Sequence, residues 1–125
     1  MYYLGIDGGG SQTRALLCDA SGQVFGRGLS GPSNPRTASK STLQENLLNA
    51  IRQAVSGIGT AKIHTAYFGV AGATDPINQE LILKIASEFF QNQSPKITVG
   101  HDMEIALEGG LKGAPGIVLI AGTGS

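Results

Sequence analysis

The chain has 125 residues, 41% of them hydrophobic and 14% charged, with nine basic side chains balancing nine acidic ones. That composition describes a globular chain large enough for one modest domain and excludes a disordered one, while the lack of a basic tract or a long apolar run predicts no nucleic-acid partner and no membrane span. A single cysteine, Cys18, excludes an internal disulfide, and the opening Met1 to Ile6 lacks the basic region and cleavage site of a leader, so a cytoplasmic location is expected.

Tyr2 to Ile6 is a short apolar run closing on Asp7 and reads as a strand. Arg14 to Asp19 reads as a second strand, Ala20-Ser21-Gly22 as a turn, and Gln23 to Leu29 as a third strand, an antiparallel meander. Gly31-Pro32-Ser33-Asn34-Pro35 is a loop, because two prolines and a glycine break any ladder. Thr42-Leu43-Gln44-Glu45 matches a capping box with Thr42 as N-cap. Leu47, Leu48, Ile51, Val55 and Ile58 then give the apolar stripe of a helix, stopped by Gly57 and Gly59. Ile63 to Ala71 has strand length. Asp75 caps a second helix with Pro76 in its first turn, and its core face reads as Ile77, Leu81, Ile85 and Phe89. Pro95 to Gly100 is a further strand, Met103 to Leu111 a short helix, and Gly116 to Ala121 a last apolar strand.

The order βββαβαβα plus one extra strand predicts an α/β fold, a mixed sheet covered on its faces in the ribonuclease H-like arrangement. The expected division is a domain over residues 1–113 and, over 114–125, the first strand and loop of a second domain. Because that last strand completes no unit, the chain is expected to be the front of a longer, two-domain protein. Its unpaired apolar edge at 117–121 predicts self-association.

Nineteen glycines cluster at the ends of apolar runs, which suggests either loops converging on a ligand or a set of tight turns. Asp7-Gly8-Gly9-Gly10-Ser11-Gln12-Thr13 joins two strands, so it is neither a Rossmann loop nor a P-loop, both of which lead into a helix. A glycine hairpin can cradle phosphate with successive backbone N–H groups, with Asp7 placed to hold Mg²⁺ through water; it can equally be an ordinary turn. Asp102, between a strand and a helix, reads as an N-cap or as a general base that takes a proton from an attacking hydroxyl. Gly122-Thr123-Gly124-Ser125 is a second glycine and hydroxyl loop after a strand, and two such loops can grip a phosphate chain from both sides of a cleft. His64 and His101 lack metal-ligand spacing, and Cys18 reads as a small buried hydrophobe.

Together these residues resemble a known family. Asp7 to Thr13 looks like the phosphate-1 loop of the actin-like ATPases, and Ala121 to Ser125 like their phosphate-2 loop. Within that superfamily the chain resembles the N-acetylglucosamine kinase and BadF/BadG/BcrA/BcrD branch, and Tyr2 to Gly10 is close to bacterial glucosamine kinases. The resemblance implies that ATP and Mg²⁺ are used, that Asp7 organises the metal, and that Gly9, Gly10, Ser11 and Thr13 line the phosphates together with Gly122, Thr123, Gly124 and Ser125. It implies that Asn34 contacts sugar hydroxyls, that Ala71 and Gly72 border the sugar, and that Asp102 is the catalytic base. The implied substrate is an amino sugar converted to its 6-phosphate, by a protein expected to form a homodimer. Ser11-Gln12 stands where Thr or Ser followed by Lys is more frequent, and Ala71 where some members carry serine. Two other classes are weighed beside the kinase: an ATPase activator of the dehydratase type, and a non-catalytic sugar-sensing module.

Overall fold

A computed structural model describes residues 2–59, 63–73, 75–93 and 95–100 of the chain. The expectations for Asp102, the 103–111 helix, the 116–121 strand, Gly122 to Ser125 and the boundary at 113 lie outside these residues. The described elements are β1 (Tyr2–Gly8), β2 (Thr13–Asp19), β3 (Val24–Ser30), α1 (Lys40–Val55), β4 (Ile63–Val70), α2 (Pro76–Phe90), a 3₁₀ turn (Gln91–Gln93) and β5 (Lys96–Gly100). They build one sheet in the order β3-β2-β1-β4-β5. β2 is antiparallel to β1 and to β3, whereas β4 runs parallel to β1 and β5 parallel to β4. This is the expected mixed sheet.

Alternation decides which face is covered. Leu4 and Ile6 of β1, Ala15 and Leu17 of β2, and Ala66, Phe68 and Val70 of β4 share one face with the buried sides of α1 and α2. Burying seven such side chains supplies the main driving force, at about 25 cal/mol per Å² of apolar surface. At the β3 edge, helix and strand come unusually close: a Cβ at Gly26 or Gly28 would overlap the carbonyl oxygens of Ala54 and Ala50. Two glycines at period 2 and two alanines at i, i+4 make that approach possible. Gln53 completes the contact, its Oε1 accepting from Leu29 N at 3.1 Å and its Nε2 donating to Leu29 O at 2.8 Å, so a helix side chain takes the place of a neighbouring strand.

Two local expectations need correction. The α1 cap is Ser39, whose Oγ accepts from Thr42 N at 3.2 Å; Thr42 lies inside the first turn. The helix begins earlier because Leu43 is itself fully buried, and a turn before it is needed to carry it onto the sheet. In α2 the core face is Ile82, Ile85, Ala86 and Phe90. Of the expected residues Ile85 belongs to it, whereas Leu81 and Phe89 only flank it and Ile77 is 79% exposed. With apolar residues at 81, 82, 85, 86, 89 and 90, this helix carries two adjacent stripes, and periodicity alone does not choose between them. The Asp75 cap is as expected, with Oδ1 accepting from Asn78 N at 2.8 Å.

Candidate functional site: three loops at one end of the sheet

The parallel strands fix the location. Register aligns Asp7 with Gly69, and Gly69 with Gly100, so β1, β4 and β5 all finish at one end of the sheet. In open α/β sheets the crevice beyond those carboxyl ends is where ligands bind. Three connections meet there: the β1–β2 hairpin, the loop after β3, and the turn after β4. Backbone bonds tie them together, Ala71 N donating to Gly8 O at 2.8 Å and Ser33 N donating to Gly9 O at 3.0 Å.

The hairpin closes through Gly9 N donating to Gln12 O at 2.9 Å. Gly10 and Ser11 form its exposed tip, and neither donates its N–H to an acceptor among the described residues. The glycines at 9 and 10 are not demanded by the chain itself. Neither has a positive φ; a Cβ at Gly10 would meet nothing, and one at Gly9 only Gln12 O at 3.5 Å. What their missing side chains do is leave backbone N–H groups open to close approach from outside, as an anion-binding nest requires.

Asp7 sits half-buried at the root of this hairpin. Burial pushes its carboxyl above the ordinary value, and the Arg14 guanidinium, its cross-strand partner on β2, pulls only partly the other way. With the Gln12 amide oxygen turned towards Arg14, it accepts from Nη2 at 2.7 Å and Nε at 2.8 Å, so the cation is steered by the hairpin. A desolvated carboxylate whose ionised form is disfavoured is stabilised by a further cation. Asp7 and the open N–H groups thus fit a metal–phosphate group.

The loop after β3 supplies Asn34. Its Oδ1 accepts from Arg36 N at 2.9 Å, an Asx turn, while its carbonyl accepts from Ala38 N at 2.8 Å. The Asn34 Nδ2 donates to nothing among the described residues. Gly72, with φ +83°, leaves the space that Asn34 Oδ1 fills, and Arg36 Nε donates to Gly72 O at 3.3 Å. Asp7, Gly9, Gly10, Ser11, Asn34, Ala71 and Gly72 therefore lie on the three loops that meet at this end of the sheet.

Thr13 differs. Its side chain is fully buried, with the hydroxyl 2.7 Å from Gly31 O and 2.6 Å from Ser33 Oγ, so it faces the β3 loop and not the open side of the hairpin. Sequence reading also missed Ser33, Arg14 and Asn46, whose Nδ2 donates to Pro32 O at 2.7 Å and holds the loop to α1. Opposite charges at Asp7 and Arg14, symmetric about a short glycine turn, were the available signal for one of them.

The mixed sheet in the order β3-β2-β1-β4-β5 with its helices is the fold of an actin-like ATPase domain. The profile of the BadF/BadG/BcrA/BcrD ATPase family matches residues 4–125; the chain belongs to that family. It is 32% identical, over 99% of its length, to a Clostridium acetobutylicum protein named N-acetylmuramic acid/N-acetylglucosamine kinase, and covers 40% of that relative. It is 31% identical to the Vibrio cholerae glucosamine kinase GspK, of which it covers 42%. Among solved structures, one from Porphyromonas gingivalis, provisionally named an N-acetylglucosamine kinase, superposes with a TM-score of 0.68 at 24% identity, over 86% of this chain and 38% of that one; this likeness concerns the fold. The chain thus spans about two fifths of the length of these relatives. Among the described residues no helix is long and apolar enough to cross a membrane.

Proposed function

We propose that the protein carrying this chain is an ATP-dependent kinase that phosphorylates an amino sugar, glucosamine or N-acetylglucosamine, to its 6-phosphate. The observation that carries the reading is the convergence, at one end of the sheet, of a hairpin whose tip N–H groups and an asparagine whose Nδ2 have no acceptor among the described residues. Its sequence support is the 31–32% identity to proteins named as kinases of such sugars.

In this reading the N–H groups of Gly10 and Ser11 hold phosphate oxygens, Gly9 lets them approach the backbone, and Gly122, Thr123, Gly124 and Ser125 close on the same phosphates from a second domain that begins near residue 114. Asn34 Nδ2 donates to a sugar hydroxyl beside Ala71 and Gly72. Asp102, two residues beyond β5, takes the proton from the attacking hydroxyl. Positioning supplies most of the rate in phosphoryl transfer, and a loop scaffold tied by backbone bonds is suited to it. Asp7 would hold Mg²⁺, which when bound would offset charge on the phosphates, with water and phosphate oxygens as its further ligands. A homodimer and a cytoplasmic location belong to the same proposal.

The test is ADP release by the intact gene product with glucosamine, N-acetylglucosamine, glucose and no sugar, beside an Asp102→Asn variant. Turnover that depends on an amino sugar and is lost in the variant supports the kinase. ATP hydrolysis indifferent to every sugar overturns it in favour of an ATPase activator.

A further inference from the structure

Thr13 and Ser33 are the buried polar pair at the base of the three loops, both with no exposed surface. Each lies where the two binding elements meet: Thr13 is the first residue of β2, directly after the glycine hairpin, and Ser33 precedes Asn34. The Thr13 hydroxyl has one proton and two neighbours, Gly31 O at 2.7 Å and Ser33 Oγ at 2.6 Å. A carbonyl can only accept, so the Thr13 proton goes to Gly31 and the Ser33 hydroxyl donates to Thr13 Oγ1. Ser33 is further fixed by its own N–H donating to Gly9 O at 3.0 Å and by the absence of a Cβ at Gly8, whose place its Oγ takes.

We infer that Thr13 and Ser33 are positioning residues: a buried hydroxyl clamp that sets the Asn34 loop in register with the phosphate hairpin, so that sugar and phosphate are held at one fixed separation. Thr13 thereby acts through Ser33 on Asn34 and touches neither substrate. The clamp is specific in its chemistry, since only a hydroxyl both donates to Gly31 and accepts from Ser33. Leaving the half-buried Gly31 carbonyl and the buried Ser33 hydroxyl without partners costs about 1–3 kcal/mol, enough for a roughly five- to 150-fold change in a binding constant. The part of this inference that concerns the sugar rests on the kinase reading; the part that concerns the loops does not.

The experiment uses the intact gene product with Thr13→Val, Thr13→Ser and Ser33→Ala, reading two quantities. The first is amide exchange across residues 31–37, by mass spectrometry. Thr13→Val, nearly the same shape, should speed exchange there roughly tenfold or more, Ser33→Ala should do so to a lesser extent, and Thr13→Ser should restore protection. Exchange unchanged in Thr13→Val and Ser33→Ala overturns the clamp whether or not the protein is a kinase. The second is KM: a sugar KM raised about tenfold in Thr13→Val with the ATP KM within twofold, and both recovered in Thr13→Ser, supports the positioning role. Sugar and ATP KM values rising together, or a Thr13→Ser as poor as Thr13→Val, overturns it. If the unmutated protein shows no sugar-dependent turnover, the kinase reading fails and exchange alone decides the clamp.

Discussion

Gly72 and Asn34 share one space: the backbone at Gly72 takes φ +83°, and a Cβ there would overlap the Asn34 Oδ1. The glycine borders the loop cluster less as a surface for a ligand than as the seat of a side chain. Gly72→Ala is expected to cost about 1–2 kcal/mol from the left-handed conformation alone, and to push Asn34 off its position as well. Asn34→Ala leaves the Gly72 backbone unstrained and removes the amide together with its bond from Arg36 N. If the protein is the proposed kinase, the two variants should share a raised sugar KM, while Gly72→Ala alone shows the larger drop in melting temperature. Equal melting temperatures would count against the shared-space account.

Gly8 and Ser33 make the same argument in a double mutant. A Cβ on Gly8 would overlap Ser33 Oγ, with the next contacts, two Val70 methyls, at an ordinary 3.4 Å. Because Gly8 has no positive φ, alanine suffers only the overlap there. Gly8→Ala should therefore destabilise by about 1–3 kcal/mol, Ser33→Ala by about 1 kcal/mol through the lost bond to Thr13, and the double variant by clearly less than the sum, because removing the hydroxyl vacates the space the new methyl needs. Urea unfolding of all four proteins measures the coupling; strict additivity would show that the two sites do not compete for that volume.

The close approach of α1 to β3 gives a prediction away from the site. Gly28→Ala sets a methyl against the Ala50 carbonyl oxygen, and backbone, unlike a side-chain tip, has no rotamer to give. Overpacking of this kind costs about 1–3 kcal/mol. Leu29→Ser, one residue along but 56% exposed, should change stability by less than about 0.5 kcal/mol. A thermal melt of the pair checks the contrast. A Gly28→Ala melt matching Leu29→Ser would mean that α1 stands further from the strand.

Strand positions were legible because apolar runs of strand length stood between glycine and proline punctuation, and the β-meander followed from their spacing. Helix phase was not. α2 is apolar over too much of its surface for one stripe to stand out, and which stripe is buried is a tertiary fact: Ile82, Ile85, Ala86 and Phe90 join the core cluster that Ile97 and Val99 of β5 also pack against. The Ser39 cap was hidden for a related reason: Ser39, Ser41 and Thr42 are all competent caps, and the choice falls to the one that lets Leu43 reach the sheet. At the site, the motif gave the residues but not their division of labour. Thr13 and Ser11 look alike in a hairpin sequence, yet strand alternation turns Thr13 inward and leaves Ser11 at the exposed tip. Ser33 and Gly8 find each other only through the fold, since they lie on different elements and no local pattern links them.

Asp7 yields the pH prediction, and its sign follows from burial. Its carboxyl is held above the ordinary value of 3.8, with desolvation outweighing the pull of Arg14. A carboxyl raised on folding binds more protons in the native state than in the unfolded one, so stability falls as pH rises from the ordinary value through the raised one, and the deficit is fully present above it. Asp7→Asn, which has no charge to desolvate, should therefore melt at a higher temperature than the unmutated protein at pH 7. The gain should shrink as pH drops through the raised value and vanish below the ordinary one. Added Mg²⁺ with a nucleotide should narrow the difference by stabilising the unmutated protein more, since only there does a carboxylate meet the cation. Melting curves between pH 3 and 8, with and without the metal–nucleotide pair, test both halves. An Asp7→Asn variant less stable than its parent at pH 7 would mean that the attraction between Asp7 and Arg14 outweighs the burial, and that this carboxylate is settled by the protein alone.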